Sequence, residues 1–238
     1  MAKIFQLNFN LHDWFEHEKY DLEDDLYIYP KSRLLFSFLT ILILLWGIFI
    51  LWSFLFGQNL AEIDLFIENL TRDLRTPAGD TLFSFITFFG SQYFIIGSAF
   101  FLAIPLFIKH RKKAAVIFVF TLLITIVLVI VLKSVFGRTR PLGCINNFDC
   151  FSYPSGHAAL SFYYYGIISY LSLRFLKLKR KWRSICVLGV SVLVILIAVS
   201  RLYLGFHFLT DIVAGFLLGG ICWLTAAIAI DLFYKKYM

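Results

Sequence analysis

Six apolar runs, near residues 34–56, 82–108, 114–132, 157–176, 184–200 and 208–233, leave this chain few architectures to choose from. A helix needs about 20 mostly apolar residues to cross the hydrocarbon core of a bilayer. Inside that core every backbone N–H and C=O must be satisfied within the segment, so runs of this length fold as helices. The second run holds Gly90, Gly97 and Pro105, which leaves its ends open. The expectation is an all-α bundle of six transmembrane helices over residues 34–238. A leader, residues 1–33, mixes Phe, Trp and Tyr with acids and suits an interfacial helix. Composition agrees: 60% of residues are hydrophobic and mean hydropathy is +0.81, against roughly 45–50% apolar usage in soluble domains. No short apolar segment with a small-residue cleavage site precedes Leu34, so the first run is expected to direct insertion itself.

The net charge is +7. The basic residues cluster between apolar runs, which is the pattern of a polytopic membrane protein and not of a nucleic-acid footprint. With six spans, the leader, the links 109–113 and 174–183 and the tail fall on one side and carry 16 of the 22 basic residues. The positive-inside rule then puts both termini in the cytoplasm. Arg72, Arg75, Lys133, Arg138, Arg140 and Arg201 fall on the opposite side, where they need another reason to exist.

The outer links are 57–81, 133–156 and 201–207. In the first, Leu60, Ile63, Ile67, Leu70 and Leu74 recur at helical spacing, with Glu62, Asp64, Glu68 and Asp73 between them. That pattern fits an amphipathic helix lying on the membrane surface, or equally one packed on top of the bundle. Asn69-Leu70-Thr71 matches a glycosylation sequon too short to carry weight. Cys144 and Cys150 lie six residues apart in a polar loop, either as a disulfide or as two free thiols. Cys186 and Cys222, inside apolar runs, read as inert core thiols.

Three polar clusters sit at outer span ends: K-S-V-F-G-R-T-R-P from Lys133 to Pro141, Y-P-S-G-H from Tyr153 to His157, and S-R-L-Y-L-G-F-H-F-L-T-D from Ser200 to Asp211. Lys133, Arg140 and Arg201 supply three cations, the arginines with a planar fork matched to phosphate oxygens. Ser155 suits the N-cap of the fourth helix, and Gly156 lets a ligand approach the backbone. A helix N-terminus there offers free N–H groups to an anion. His207 and Asp211 are spaced i, i+4, so a carboxylate one turn away can fix the imidazole tautomer and leave the other nitrogen to attack. His157 is placed to protonate a leaving oxygen. No metal cage is visible, because clustered Asp and Glu are absent from the three motifs. Taken singly, Arg138 reads as an interfacial anchor, and Ser152 and Tyr153 as ordinary turn residues. Taken together, polar groups converging on one membrane face are costly and point to function.

These motifs, K-x6-R-P, P-S-G-H and S-R-x5-H-x3-D, resemble in order and internal spacing the three signatures of the type 2 phosphatidic acid phosphatase (PAP2) superfamily. The resemblance covers residues 133–211, with a further likeness in G-D-T-L-F-S-F-I-T-F-F-G at the second run. It implies a PAP2-like membrane phosphatase without a cofactor or metal, working through a phosphohistidine intermediate. In it His207 is the nucleophile, Asp211 tunes it, and His157 protonates the leaving group and then activates water. Lys133, Arg140, Ser155, Gly156 and Arg201 hold the phosphoryl oxygens. An outer interfacial site implies a lipid phosphate as substrate and no nucleic-acid partner. Candidates are undecaprenyl pyrophosphate, phosphatidylglycerol phosphate, phosphatidic acid, diacylglycerol pyrophosphate and lipid A phosphates. Short loops and a single domain suit a bacterial cytoplasmic membrane, with the site facing the periplasm. The same residues would serve a lipid phosphotransferase. A non-catalytic lipid-binding or transport protein would call for charges deep in the spans or for broken motifs, and neither is found.

Overall fold

The structure, a computed structural model, describes residues 32–55, 57–143, 150–176 and 178–235. The expected interfacial leader lies outside the described residues apart from its last positions. The described residues form helices α1 (Ser32–Leu55), α2 (Gly57–Asp73), α3 (Pro77–Phe88), α4 (Gln92–Ile108), α5 (Lys112–Phe136), α6 (Gly156–Phe175), α7 (Arg180–Tyr203) and α8 (Leu209–Lys235). Among the described residues the β-pairing is a single isolated bridge between Thr139 and Phe151.

Four helical stretches are long and apolar enough to cross a membrane: Pro77–Ile108, α5, α7 and Leu209–Tyr234 of α8. They make the chain an integral membrane protein. Large apolar side chains such as Phe38, Leu44, Phe100, Phe101, Phe120 and Leu188 are exposed, more contiguous apolar surface than water tolerates and what a lipid-facing wall requires. The expected spans at 34–56 and 157–176 form as α1 and α6 but are not among those four. The apolar stretch of α1, Leu35–Leu51, is shorter. Helix α6 carries a run of tyrosines and serines and has no exposed residue from Gly156 to Phe175, so its hydroxyls can be paired by neighbours.

Three successive tyrosines of α6 do this in three directions. The Tyr163 hydroxyl donates to Phe118 O of α5 at 2.7 Å and shares a 2.5 Å hydrogen bond with Thr121 Oγ1. The Tyr164 hydroxyl donates to Ser98 Oγ of α4 at 2.7 Å. The Tyr165 hydroxyl donates at 2.9 Å to Phe89 O. That last carbonyl lies at a break between α3 and α4, so the expected second run is two helices in series. Ser91 opens α4 as its N-cap, accepting from Phe94 N at 3.2 Å. Upstream, α3 begins at Pro77 with Thr76 as N-cap, the position where proline is best tolerated.

Helix α8 packs most extensively on α6, and also on α1 and α5. Gly215 and Gly219 make the α6 contact possible. A Cβ at Gly215 would stand 2.6 Å from Ser155 O, and one at Gly219 would stand 2.4 Å from Ala159 O. Small residues at i and i+4 let two membrane helices approach to backbone distance, where dispersion and not hydrophobic expulsion holds them. The central core, including Phe118, Tyr163, Ile167, Leu218 and Ala226, surrounds this contact. It fixes the N-terminal ends of α6 and α8 side by side.

Helix α2 forms as expected from its periodicity, and it packs against α7, α8 and α1. Its faces are not those the pattern suggests. Leu60 is buried, but Ile63, Leu70 and, just past the helix, Leu74 are exposed, while Asp64 is only 2% exposed. The acid turns inward because cationic and N–H partners wait for it there. Thr71 of the sequon bonds its own helix at Ile67 O and Glu68 O.

Candidate active site

The three motifs meet where α5 ends and α6 and α8 begin. Lys133 lies in the last turn of α5, and its Nζ donates to Phe151 O at 2.8 Å. The chain then turns back, with Ser152 N donating to Arg138 O at 2.7 Å and Ser152 Oγ reaching Arg138 O and Thr139 O, each at 3.2 Å. Ser155 is the N-cap of α6, its Oγ accepting from Ala158 N, and its own N–H donates to Asp211 O at 3.0 Å. That last bond couples the second motif directly to the third. Cys150 is disulfide-bonded. Cys144, its expected partner, lies outside the described residues, and Cys186 and Cys222 are free thiols.

The third motif joins α7 to α8 in a tight turn. Gly205 has φ +71°, a left-handed conformation that side chains disfavour, and Phe206 N closes back on Arg201 O at 3.0 Å. Arg201 ends α7 buried, its guanidinium 4.4 Å over the Phe206 ring and donating to Thr87 Oγ1 at 3.1 Å. His207 follows, also buried. Its Nδ1 is 3.4 Å from Asp211 Oδ2, and its Nε2 is 3.2 Å from Arg140 Nη1. Arginine only donates, so Nε2 is the acceptor and Nδ1 carries the proton toward Asp211. Asp211 Oδ2 also accepts from Phe208 N at 2.9 Å, which pins the carboxylate at the start of α8. Arg140 is held in turn by Phe206 O at 2.9 Å.

His157 sits in the first turn of α6, within electrostatic reach of Arg201, His207, Lys133 and Arg140. Lys133, Ser155, Gly156, His157, Arg140, Arg201, His207 and Asp211 are therefore brought to one end of the bundle. Their arrangement suits a compact anion: cations on several sides, a helix N-terminus below and one imidazole nitrogen facing in.

Arg138 corrects the reading of a surface anchor. Its Nη1 donates to Asp211 Oδ1 at 2.8 Å and to Thr210 Oγ1 at 2.6 Å, its Nη2 donates to Asp64 Oδ2 at 2.7 Å, and its guanidinium lies 4.2 Å over the Phe208 ring. Ser152 is fully buried and Tyr153 nearly so. Tyr153 packs edge-on to Phe136, and its hydroxyl makes no hydrogen bond among the described residues. Burial, reinforced by the Asp211 carboxylate and opposed by Arg138, pushes that phenol up to about 12. Arg72 pairs with Glu68 within α2, and Arg75 grips Asp80 through two 3.1 Å bonds across the α2–α3 connection. Sequence reasoning missed Asp64, Thr87 and Thr210. The proximity of Arg138 to Arg140 was a usable signal, whereas Asp64 had none, since its partner is 74 positions away.

A family model described as the PAP2 superfamily matches residues 114–235. An undecaprenyl-diphosphatase of Sulfolobus acidocaldarius is 32% identical over 189 residues, covering 75% of this chain and 84% of that protein. A phosphatidylglycerophosphatase B of Bacillus subtilis is 36% identical over 90 residues, 37% of this chain and 44% of that protein, so the match spans less than half of its length. Among solved structures, a transmembrane PAP2-type phosphatidylglycerolphosphate phosphatase from Bacillus subtilis superposes with TM-score 0.72 at 24% identity, covering 83% of this chain and 96% of that one. LpxE of Aquifex aeolicus superposes with TM-score 0.51 at 27% identity, covering 68% and 93%.

Proposed function

This chain belongs to the PAP2 superfamily, and from that premise we propose that it is a phosphatase that removes a phosphoryl group from a membrane lipid phosphate or diphosphate. The observation that carries the reading is the His207 ring, proton-side to Asp211 and lone-pair-side to Arg140, inside a ring of cations. The steps follow from that orientation. A phosphoryl group entering between His207 and His157 takes the place of His207 Nε2 as the partner of Arg140. Lys133, Arg201 and the N–H groups around Ser155 and Gly156 complete the cradle for its oxygens. Nε2 attacks phosphorus, the bond to the leaving oxygen breaks, and His157 gives that oxygen a proton. Asp211 stabilises the charge that develops on the His207 ring. Water, deprotonated by His157, then attacks the phosphohistidine and releases inorganic phosphate.

The relatives' names direct the choice of substrate to undecaprenyl diphosphate and phosphatidylglycerophosphate, both amphiphiles that can reach a site at span ends while their chains stay in lipid. The topology that suits this is six crossings with both termini in the cytoplasm and the site on the opposite, periplasmic face of a bacterial membrane. The distribution of basic residues supports it. A fluorescent reporter fused at the C-terminus is expected to light up in the cytoplasm, and a reporter active only on the far side would reject the topology. The activity is tested by offering purified protein those two lipids and phosphatidic acid. Release of inorganic phosphate from at least one, lost in His207→Ala, is expected. No turnover of any lipid phosphate by the intact, folded protein would reject the reading.

A further inference from the structure

Asp64 comes from a helix outside all three motifs, yet it is one of the most buried polar groups in the molecule. Both of its oxygens are used. Oδ1 accepts from Thr210 N at 3.0 Å, and Oδ2 accepts from Thr210 Oγ1 at 2.6 Å and from Arg138 Nη2 at 2.7 Å. Arg138 Nη1 continues to Asp211 Oδ1 at 2.8 Å. The side chains of Asp64 and Asp211 are 2% and 0% exposed. Burying a carboxylate is costly unless it is paired and bonded, so a helix that merely rests on the bundle would leave this acid in water, as the exposed Ile63 and Phe66 beside it are left in lipid or headgroups.

We infer that Asp64 is a positioning residue for the His207–Asp211 pair, acting through Arg138 and the first turn of α8. The inference rests on the phosphatase reading above. Arg138 is a fork shared between two carboxylates. With Asp64 holding one tine, the other presents a fixed donor to Asp211 Oδ1, which turns Asp211 Oδ2 toward His207 Nδ1. Asp64 also supplies the buried acceptor that Thr210 N needs at the start of α8, in place of a cap from α8's own leading residues. The His207–Asp211 contact, 3.4 Å, is the longest link in this chain and the first to fail if Asp211 swings toward an unshared Arg138. Helix α2 is thus part of the catalytic scaffold, not only a surface element.

The test uses the full-length protein in detergent, on whichever lipid phosphate the wild type turns over. Asp64→Asn is expected to lower kcat by about ten- to hundredfold, the size of effect that small misplacements of reacting groups produce. KM should stay within about twofold, because the phosphate-holding residues are untouched. The double variant Asp64→Asn/Arg138→Gln should be no slower than Arg138→Gln alone, because both act on one path. Asp64→Glu should recover part of the rate. If Asp64→Asn does not fold, Thr210→Val, which removes the shared hydroxyl and keeps every charge, carries the test and should show the same fall in kcat. Wild-type kcat in a folded variant, or additive losses in the double variant, would overturn the inference. Loss of wild-type activity on every lipid strikes the phosphatase reading instead, so the two failures are distinguishable.

Discussion

His207 has one useful orientation because both ring nitrogens are spoken for. Asp211 takes the Nδ1 proton and Arg140 faces Nε2, so the lone pair points where the cations converge. Residue types and spacing made the pair legible, but not as two positions on one helix face: His207 lies in the turn before α8, which begins at Leu209, and meets Asp211 from there. They point to Arg138 only through its place two residues before Arg140, and hydropathy alone sorts it with other span-end arginines. Its role depends on Asp64, and that pairing spans 74 positions, across α3, α4 and α5. Thr87 was hidden for the same reason: it meets Arg201 only because α3 and α7 pack together. Tyr153 is the opposite case, a buried hydroxyl that makes no hydrogen bond among the described residues and lies close enough to Asp211 to feel its charge.

At the scale of elements, the apolar runs foretold helices, and the structure supplies α1 and α3 to α8 at those places. Two refinements were out of reach. The second run breaks at Phe89–Ser91, where Tyr165 bonds the Phe89 carbonyl, and such a partner is invisible to hydropathy. The amphipathic pattern of the 57–81 link gave the helix but not its orientation, because an inward acid is settled by what lies beneath it. The α6–α8 contact makes a sharper prediction. Gly219→Val places a branched side chain where a Cβ already meets Ala159 O at 2.4 Å. Overpacking of this kind costs typically about 1–3 kcal/mol or more, and here the obstacle is backbone. Thermal unfolding in detergent should show a clear drop in Tm, with activity lost in step because α6 carries His157 and α8 carries Asp211, with His207 in the turn just before it. An unchanged Tm would mean that the helices are not in backbone contact.

For the whole molecule, the bundle holds the N-terminal ends of α6 and α8 against the C-terminal ends of α5 and α7, and the site exists only where those four ends meet. All-helical architecture with apolar spans was legible from length and composition. Membership of the PAP2 superfamily was legible from three short motifs, because their chemistry tolerates little variation in spacing. Substrate choice was not, since it depends on the path by which a lipid reaches the site, and the sequence holds no local pattern for that path. The central claim is that His207 becomes covalently phosphorylated. It is tested most directly by rapid quenching of the purified protein with a lipid radiolabelled in its phosphate, followed by peptide mapping of the trapped label. The account predicts an acid-labile, base-stable phosphate on His207 that is absent from His207→Ala. Full turnover by the His207→Ala protein, or label on any other residue, would contradict it.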